Sequence, residues 1–262
     1  MENRIIFCSD HITKEITLKE ALKYSQSKGA LLEVHSAHFK ELLAQKDFKS
    51  IICIHPHWRN YSLSTDNDTF MIKSLNYLYN LINFIESNGI KYIIIHPEGM
   101  PANLARESRY INVLKSYEKI SKYIKNKDVR ILIENMPPAR VYPPSVLPNY
   151  FIGEQLDELF PILKIDSKFN FIFDLGHFIC GLNVYGNREL KSLKTFGKKL
   201  IYVHVHDNNG KINNHEPLKR KKSIDILKII EKLYHPLYSL EIAPSFENID
   251  KTIRNLKKIM NI

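Results

Sequence analysis

KYIIIH, residues 91–96, is an apolar, largely β-branched run that stops on a histidine. The same pattern recurs on both sides of it. Upstream, LLEVH ends on His35 and SIICIH on His55. Downstream, RILIE ends on Glu134, FIFD on Asp174, LIYVH on His204 and LYSLE on Glu241. An eighth run, RIIFC, ends on Cys8 and is followed by Ser9 and Asp10. From His35 onward, successive ends lie 20 to 41 residues apart, the length that a strand, a helix and two loops consume. Strands apolar throughout are those buried on both faces of a parallel sheet. Polar residues at their C-terminal ends are where such sheets carry chemistry.

The intervening segments have helical period. TLKEALKYSQSKG opens on Thr17 and closes on Gly29, a start and stop pair, and FKELLAQK follows the second run. Residues 69–88 place Leu75, Leu78, Leu81, Ile82 and Ile85 on one face, and residues 104–125 do so with Ile111, Leu114, Ile120 and Ile124. Further helices are expected over 152–163, 188–198, 224–233 and 249–260. Strand and helix alternate eight times, which predicts an α/β chain folded as a single (β/α)8 TIM barrel over residues 1–262. The segment NMPPARVYPPSVLPNY, residues 135–150, holds five prolines and directly follows Glu134. It reads either as a stiff wall or lid over the barrel mouth or as a long connection.

Composition narrows the class. Hydrophobic residues at 44% and charged residues at 25% are ordinary for a globular protein. No apolar run reaches the roughly 20 residues of a membrane helix, and the apolar stretch in MENRIIFCSDH is too short for a secretory signal. Cys8, Cys53 and Cys180 lack metal-type spacing, so buried thiols in a reducing, cytoplasmic setting are expected. The net charge of +10 suits a nucleic-acid partner, but Lys is spread over solvated faces such as residues 115–127 and 254–258. Only Lys219, Arg220, Lys221 and Lys222 form a compact cluster.

In a barrel the strand ends converge, so His55, His96, Glu134, Asp174, His204 and Glu241 should share one pocket. His57, His177 and His215 lie in the loops beyond. Mixed nitrogen and carboxylate donors suit a divalent metal such as zinc, manganese, iron or cobalt, whose charge would offset the buried carboxylates. His35, His38 and His235 are read as hydrogen-bonded loop residues. His57 and His206 are left outside the pocket, as neighbours pointing elsewhere or lying one step beyond it.

HPEG at His96, LIEN at Glu134, FDLGH at Asp174, HVHDNNG at His204, NNHEPL at His215 and LEIAP at Glu241 together resemble the xylose isomerase-like barrel superfamily, over residues 51–247. That superfamily includes sugar-phosphate isomerases and epimerases, inosose and dehydroshikimate dehydratases, and endonuclease IV. The resemblance implies that Glu134, Asp174, His204 and Glu241 hold a shared metal, with Glu134 and Glu241 also serving as catalytic acid and base. It implies a second metal at His55, His96 and Glu134 under the endonuclease pattern. There His177, Asn213 and His215 match a third site, but Asn213 stands where the nuclease has Asp and so removes a charge. In the sugar enzymes the counterpart of His177 bonds a substrate hydroxyl. His215, Lys219 and Trp58 are further substrate-binding candidates, with Lys219 to Lys222 read either as an anion-attracting turn or as a solvated loop. Trp58 and Arg59 occupy the place of the nuclease's intercalating pair, whereas HSAHFKELL is too short to penetrate a duplex and LEIAP departs from the nuclease's Glu-Thr-Pro.

The expectation is therefore a metal-dependent isomerase or epimerase acting on a sugar or sugar phosphate through a metal-stabilised enediolate, with no membrane partner. The alternatives are an endonuclease IV-like enzyme acting on DNA at abasic sites, or related phosphoesterase, and a non-catalytic metal- or ligand-binding barrel.

Overall fold

The computed structural model describes residues 4–9, 17–35, 38–141, 150–186, 188–242 and 246–261. Eight parallel strands close into a barrel in sequence order: β1 (Ile5–Cys8), β2 (Leu31–His35), β3 (Ile51–His55), β4 (Tyr92–Ile95), β5 (Arg130–Glu134), β6 (Phe169–Asp174), β7 (Leu200–Val205) and β8 (Leu237–Leu240). β1 pairs with both β2 and β8, which completes the closure. The register sets strand ends side by side, with His35 opposite His55 and Asp174 opposite His204.

Period-two alternation sorts each strand into two cores. Ile6, Cys53, Ile94, Leu132, Ile172 and Tyr202 form the packed interior. Their chain neighbours, such as Ile54, Ile93, Ile131, Phe171 and Val203, belong to the larger core between barrel and helices. Those helices are α1 (Leu18–Ser27), α2 (Phe39–Leu43), α3 (Asp68–Ser87), α4 (Arg106–Ile124), α5 (Leu159–Ile165), α6 (Leu175–Tyr185), α7 (Arg188–Leu193), α8 (Lys221–Tyr234) and α9 (Phe246–Met260). α1 starts on a capping box in which Thr17 and Glu20 bond each other's backbone N–H. α3 buries Leu75, Leu78, Ile82 and Ile85, each contributing about 1.5–3 kcal/mol of transfer free energy. No helix among the described residues is long and apolar enough to cross a membrane. All three cysteines are buried, as the sequence suggested.

Two elements differ from expectation. α6 springs directly from the end of β6, with Asp174 as its N-cap, where the sequence reading placed the next helix only from residue 188. LGHFICGLNVY is apolar on nearly every face and carries two glycines, so it shows no amphipathic stripe. The helix expected from residue 152 begins as a 3-10 turn at Leu156–Glu158 and becomes α-helical at Leu159. Gly153, at φ +94°, and the capture of the Phe151 N–H by the Glu154 carboxylate impose a turn there instead. Glu154 also accepts from the Ala139 N–H at 2.6 Å and the Tyr185 hydroxyl at 2.6 Å. Both described flanks of the proline-rich segment are thus tied to one buried carboxylate; its residues 142–149 lie outside the described residues, as do Asp10, Ser36 and Ala37, and Ala243 and Pro244 of LEIAP.

Candidate metal centre

Glu134, Asp174, His204 and Glu241 converge at the C-terminal end of the barrel, each offering one donor atom within 4.8 Å of all the others. His204 Nδ1 stands at the middle, 3.2 Å from Glu134 Oε1, 3.3 Å from Glu241 Oε2 and 3.7 Å from Asp174 Oδ2. β5 and β6 are locked together beneath them by Asn135, whose side chain exchanges two hydrogen bonds with the Asp174 backbone. Asp174 Oδ1 accepts the His177 N–H at 2.6 Å, so the same carboxylate caps α6. His177 Nδ1 lies 2.8 Å from the Asn135 carbonyl and must donate to it, which leaves Nε2 as its lone-pair nitrogen.

A second group adjoins the first. His55 Nε2 faces His96 Nε2 at 3.3 Å, and Glu134 Oε2 lies 3.5 and 3.3 Å from these two nitrogens. The six strand-end donors expected to meet are therefore together. His206 is a correction. It is fully buried inside the pocket, with Nε2 3.0 Å from Asp174 and its ring stacked 4.0 Å from that of His215. Two residues beyond His204, it has the same strand parity and faces the same way. Gly176 makes room for it: a Cβ there would lie 1.8 Å from His206 Cε1. Substituting Gly176 by Ala should displace this ring and destabilise the protein by about 1–3 kcal/mol, measured by thermal or urea denaturation. Adding His206→Ala should return most of that loss; full additivity of the two substitutions would show that the ring is not the obstacle.

Glu33 was not singled out from the sequence. It is fully buried on β2 beneath the two groups, within 3.1 Å of His204 Nε2 and 3.3 Å of His55 Nδ1, and it accepts the Tyr202 hydroxyl at 2.8 Å. The signal was a carboxylate inside an otherwise apolar run, two residues before the strand end.

Burial by itself would raise the carboxyl pKa values, but the neighbouring histidines outweigh it. Glu33 and Glu134 are held well below the usual range, chiefly by His204, and Asp174 by His177 and His206. Burial opposes a proton on His204, yet Glu33, Glu241 and Glu134 together raise its pKa well above that of free imidazole. Glu241 goes the other way: burial, with Asp174 and Glu134 nearby, pushes it up to about 8. Burial lowers His55 to about 4 and also lowers His177, so both are neutral at physiological pH.

These donors fit a divalent cation. A tetrahedral ion with bonds of roughly 2.0–2.1 Å sets its ligand atoms about 3.3–3.4 Å apart, close to the separations among His55, His96 and Glu134 and to those of His204 Nδ1 from Glu134 and Glu241. Two imidazole lone pairs do not face each other at 3.3 Å without a proton or a cation between them. Glu134 Oε2, His96 Nδ1 and His206 Nδ1 are buried and have no hydrogen bond among the described residues. Among the described residues, the ion-pair partners of Glu33, Glu134 and Asp174 are all histidines.

The remaining candidates lie further out. His215 Nδ1 donates to the Glu241 carbonyl at 2.8 Å, and Asn213 Nδ2 lies 3.3 Å from its Nε2. Trp58 sits at the rim, stacked on His57 and covered by the Arg59 guanidinium at 4.9 Å; His57 and His55 both meet the ring of His35 edge to face. Lys219 is not drawn into the cluster. Its Nζ pairs with Glu216 at 2.7 Å and its side chain is half exposed. The backbone N–H groups of Lys219 and Arg220 and the Ser223 hydroxyl converge on the buried Asp207 carboxylate. An internal anion thus satisfies the donors of that turn.

A family model described as the xylose isomerase-like TIM barrel matches residues 18–259. An uncharacterized protein of Methanocaldococcus jannaschii is 25% identical over 246 residues, covering 93% of this chain and 90% of the relative. Among solved structures, a D-tagatose 3-epimerase-like protein superposes with a TM-score of 0.79 at 18% identity, covering 100% of this chain and 97% of its own. An IolI protein with a binding zinc atom does so at 0.78 and 13% identity, covering 100% and 98%. At these identities the two structures speak for the fold, and the family match covers nearly the whole sequence. The chain belongs to the xylose isomerase-like TIM barrel family.

Proposed function

We propose that the protein is a metal-dependent isomerase or epimerase acting on a sugar or sugar phosphate. The observation that carries this reading is the four-donor cluster, in which two glutamates flank one histidine and share a single pocket with Asp174. Glu134, Asp174, His204 and Glu241 would hold the ion, which supplies Lewis-acid stabilisation of an enediolate when bound. Glu134, ionised at neutral pH, is the base that takes a proton from the carbon beside a carbonyl. Glu241, on the other side of His204 from Glu134, is the group placed to return one. His177 Nε2 is free to accept from a substrate hydroxyl. The likeness to an epimerase-like protein and to a zinc-bearing barrel supports the same reading.

Incorporation of solvent deuterium into a panel of ketoses, with zinc-, manganese- and cobalt-loaded protein, tests it. Exchange at the carbon next to the carbonyl is expected. Its absence across the panel, together with cleavage of an abasic-site oligonucleotide, would favour the second reading. That reading is a phosphoesterase with two or three metals. It draws on the group of His55, His96 and Glu134 and on the pocket histidines His177, His206 and His215.

The charge state of Glu241 adds a further expectation. Below about pH 8 its carboxyl is protonated in the metal-free protein, and the raised pKa of His204 keeps a second proton on that ring, so metal uptake at pH 7 displaces protons from both groups. Apparent affinity should therefore rise with pH from about 7 through about 8. Isothermal titration calorimetry in buffers of different ionisation enthalpy measures the proton count, and a value of zero at pH 7 would remove this assignment.

A further inference from the structure

We propose that Glu33 is a positioning residue that fixes the tautomers of His204 and His55 together and so couples the two donor groups into one centre. The proposal rests on the metal-binding reading above, but on neither of the two reactions. Glu33 is fully buried beneath the pocket, on Tyr202, and among the described residues it reaches the site through the two imidazoles. Its carboxylate has three neighbours able to donate: His204 Nε2 at 3.1 Å to both oxygens, His55 Nδ1 at 3.3 Å and the Tyr202 hydroxyl at 2.8 Å. An ionised carboxylate only accepts, so it selects the tautomers with N–H at His204 Nε2 and at His55 Nδ1. With metal bound, and the second proton of His204 displaced, each ring then turns its lone pair to the opposite side. For His204 that is Nδ1, facing Glu134, Asp174 and Glu241; for His55 it is Nε2, facing His96 and Glu134.

Glu33, His55 and His204 also lie close enough to form a donor set of their own. Using it would require the lone pairs on the Glu33 side, and both outer groups would lose a nitrogen. The two arrangements exclude each other. The outer one engages more donors, including Glu134, whose Oε2 has no hydrogen bond among the described residues.

The discriminating property is that one substitution outside both donor groups weakens both. Zinc affinity of metal-free protein, measured by competition with a chromophoric chelator, should fall about 10–100-fold in Glu33→Gln. Any second, weaker binding step should fall with it, whereas His96→Ala should affect only the weaker step. Histidine-selective 15N NMR of the zinc-loaded wild-type protein tests the same point without a variant. Protonated Nε2 on His204 and protonated Nδ1 on His55 are expected. The opposite tautomers, or unchanged zinc affinity in Glu33→Gln, would overturn the proposal while leaving the metal reading intact. A wild-type protein that binds neither zinc, manganese nor cobalt would overturn both.

Discussion

Under the proposed isomerase or epimerase reading, replacing Glu134 by glutamine is expected to lower deuterium exchange into a ketose by about 10³–10⁴-fold, with a simultaneous loss of metal affinity. The size follows from the double use of this side chain. Oε1 lies 3.2 Å from His204 Nδ1 in the central cluster, and Oε2 lies 3.3 and 3.5 Å from His96 and His55 in the adjoining one. The amide removes the charge from both groups and puts N–H donors against nitrogens that need to present lone pairs. It also removes the basic oxygen itself. The volume is unchanged, so the fold should survive, as far-ultraviolet circular dichroism would verify. Glu241→Gln provides the contrast. Its carboxyl already carries a proton at neutral pH in the metal-free protein, so the amide imitates the resting state more closely. That variant should perturb metal-free stability less than Glu134→Gln does, while still losing the proton-returning step. Exchange within tenfold of wild type in Glu134→Gln would remove the base role from Glu134.

The fold was legible because its signal repeats. Eight apolar runs, each followed by a helix-length segment, leave few topologies, and the closed barrel has the expected strand order. The site was legible only at the last residue of each run. Glu33 went unnoticed because it sits inside LLEVH, where an apolar context suggests core, although a buried carboxylate in such a run needs partners. His206 was set aside even though its spacing of two from His204 keeps it on the inward face. In both cases strand parity, applied along the whole run rather than at its end, carries the missing information. α6 was hidden for another reason: a helix buried on nearly all sides has no polar face to give it a period. HPEG was read as one motif around a metal-binding histidine, but its members divide. His96 faces the pocket, whereas Glu98 and Gly99 hold the backbone behind it.

That backbone role leads to the largest expected effect on stability. Arg109→Met should cost about 3–5 kcal/mol at neutral pH, because it leaves a carboxylate buried without its cation. Glu98 and Arg109 are 2% and 3% exposed, and one guanidinium nitrogen lies 3.1 Å from both carboxylate oxygens. Arg109 also donates to the Tyr150 carbonyl, and Glu98 accepts the Ile152 N–H. The pair thus joins β4, α4 and the chain entering Gly153. Burial already raises the Glu98 pKa in spite of Arg109, and without the guanidinium it should rise further. A carboxyl whose folded pKa is raised loses stability as pH climbs from its unfolded pKa to its folded one. The penalty in Arg109→Met should therefore be smaller at pH 5 than at pH 8 in urea denaturation. Pairing it with Glu98→Leu removes the buried charge and should recover a large part of the loss, since apolar replacement of both partners is often near neutral. The metal centre reports on the same clamp. Glu98 stands two residues beyond His96, and at Gly99, where φ is +68°, a Cβ would meet Tyr61 at 2.5 Å; the Tyr61 hydroxyl in turn bonds the His96 backbone. Loosening this stretch should weaken the group of His55, His96 and Glu134 before the central cluster, so zinc titration of Arg109→Met should lose the weaker binding step first. Equal weakening of both steps would mean that the clamp supports the barrel as a whole rather than the end of β4.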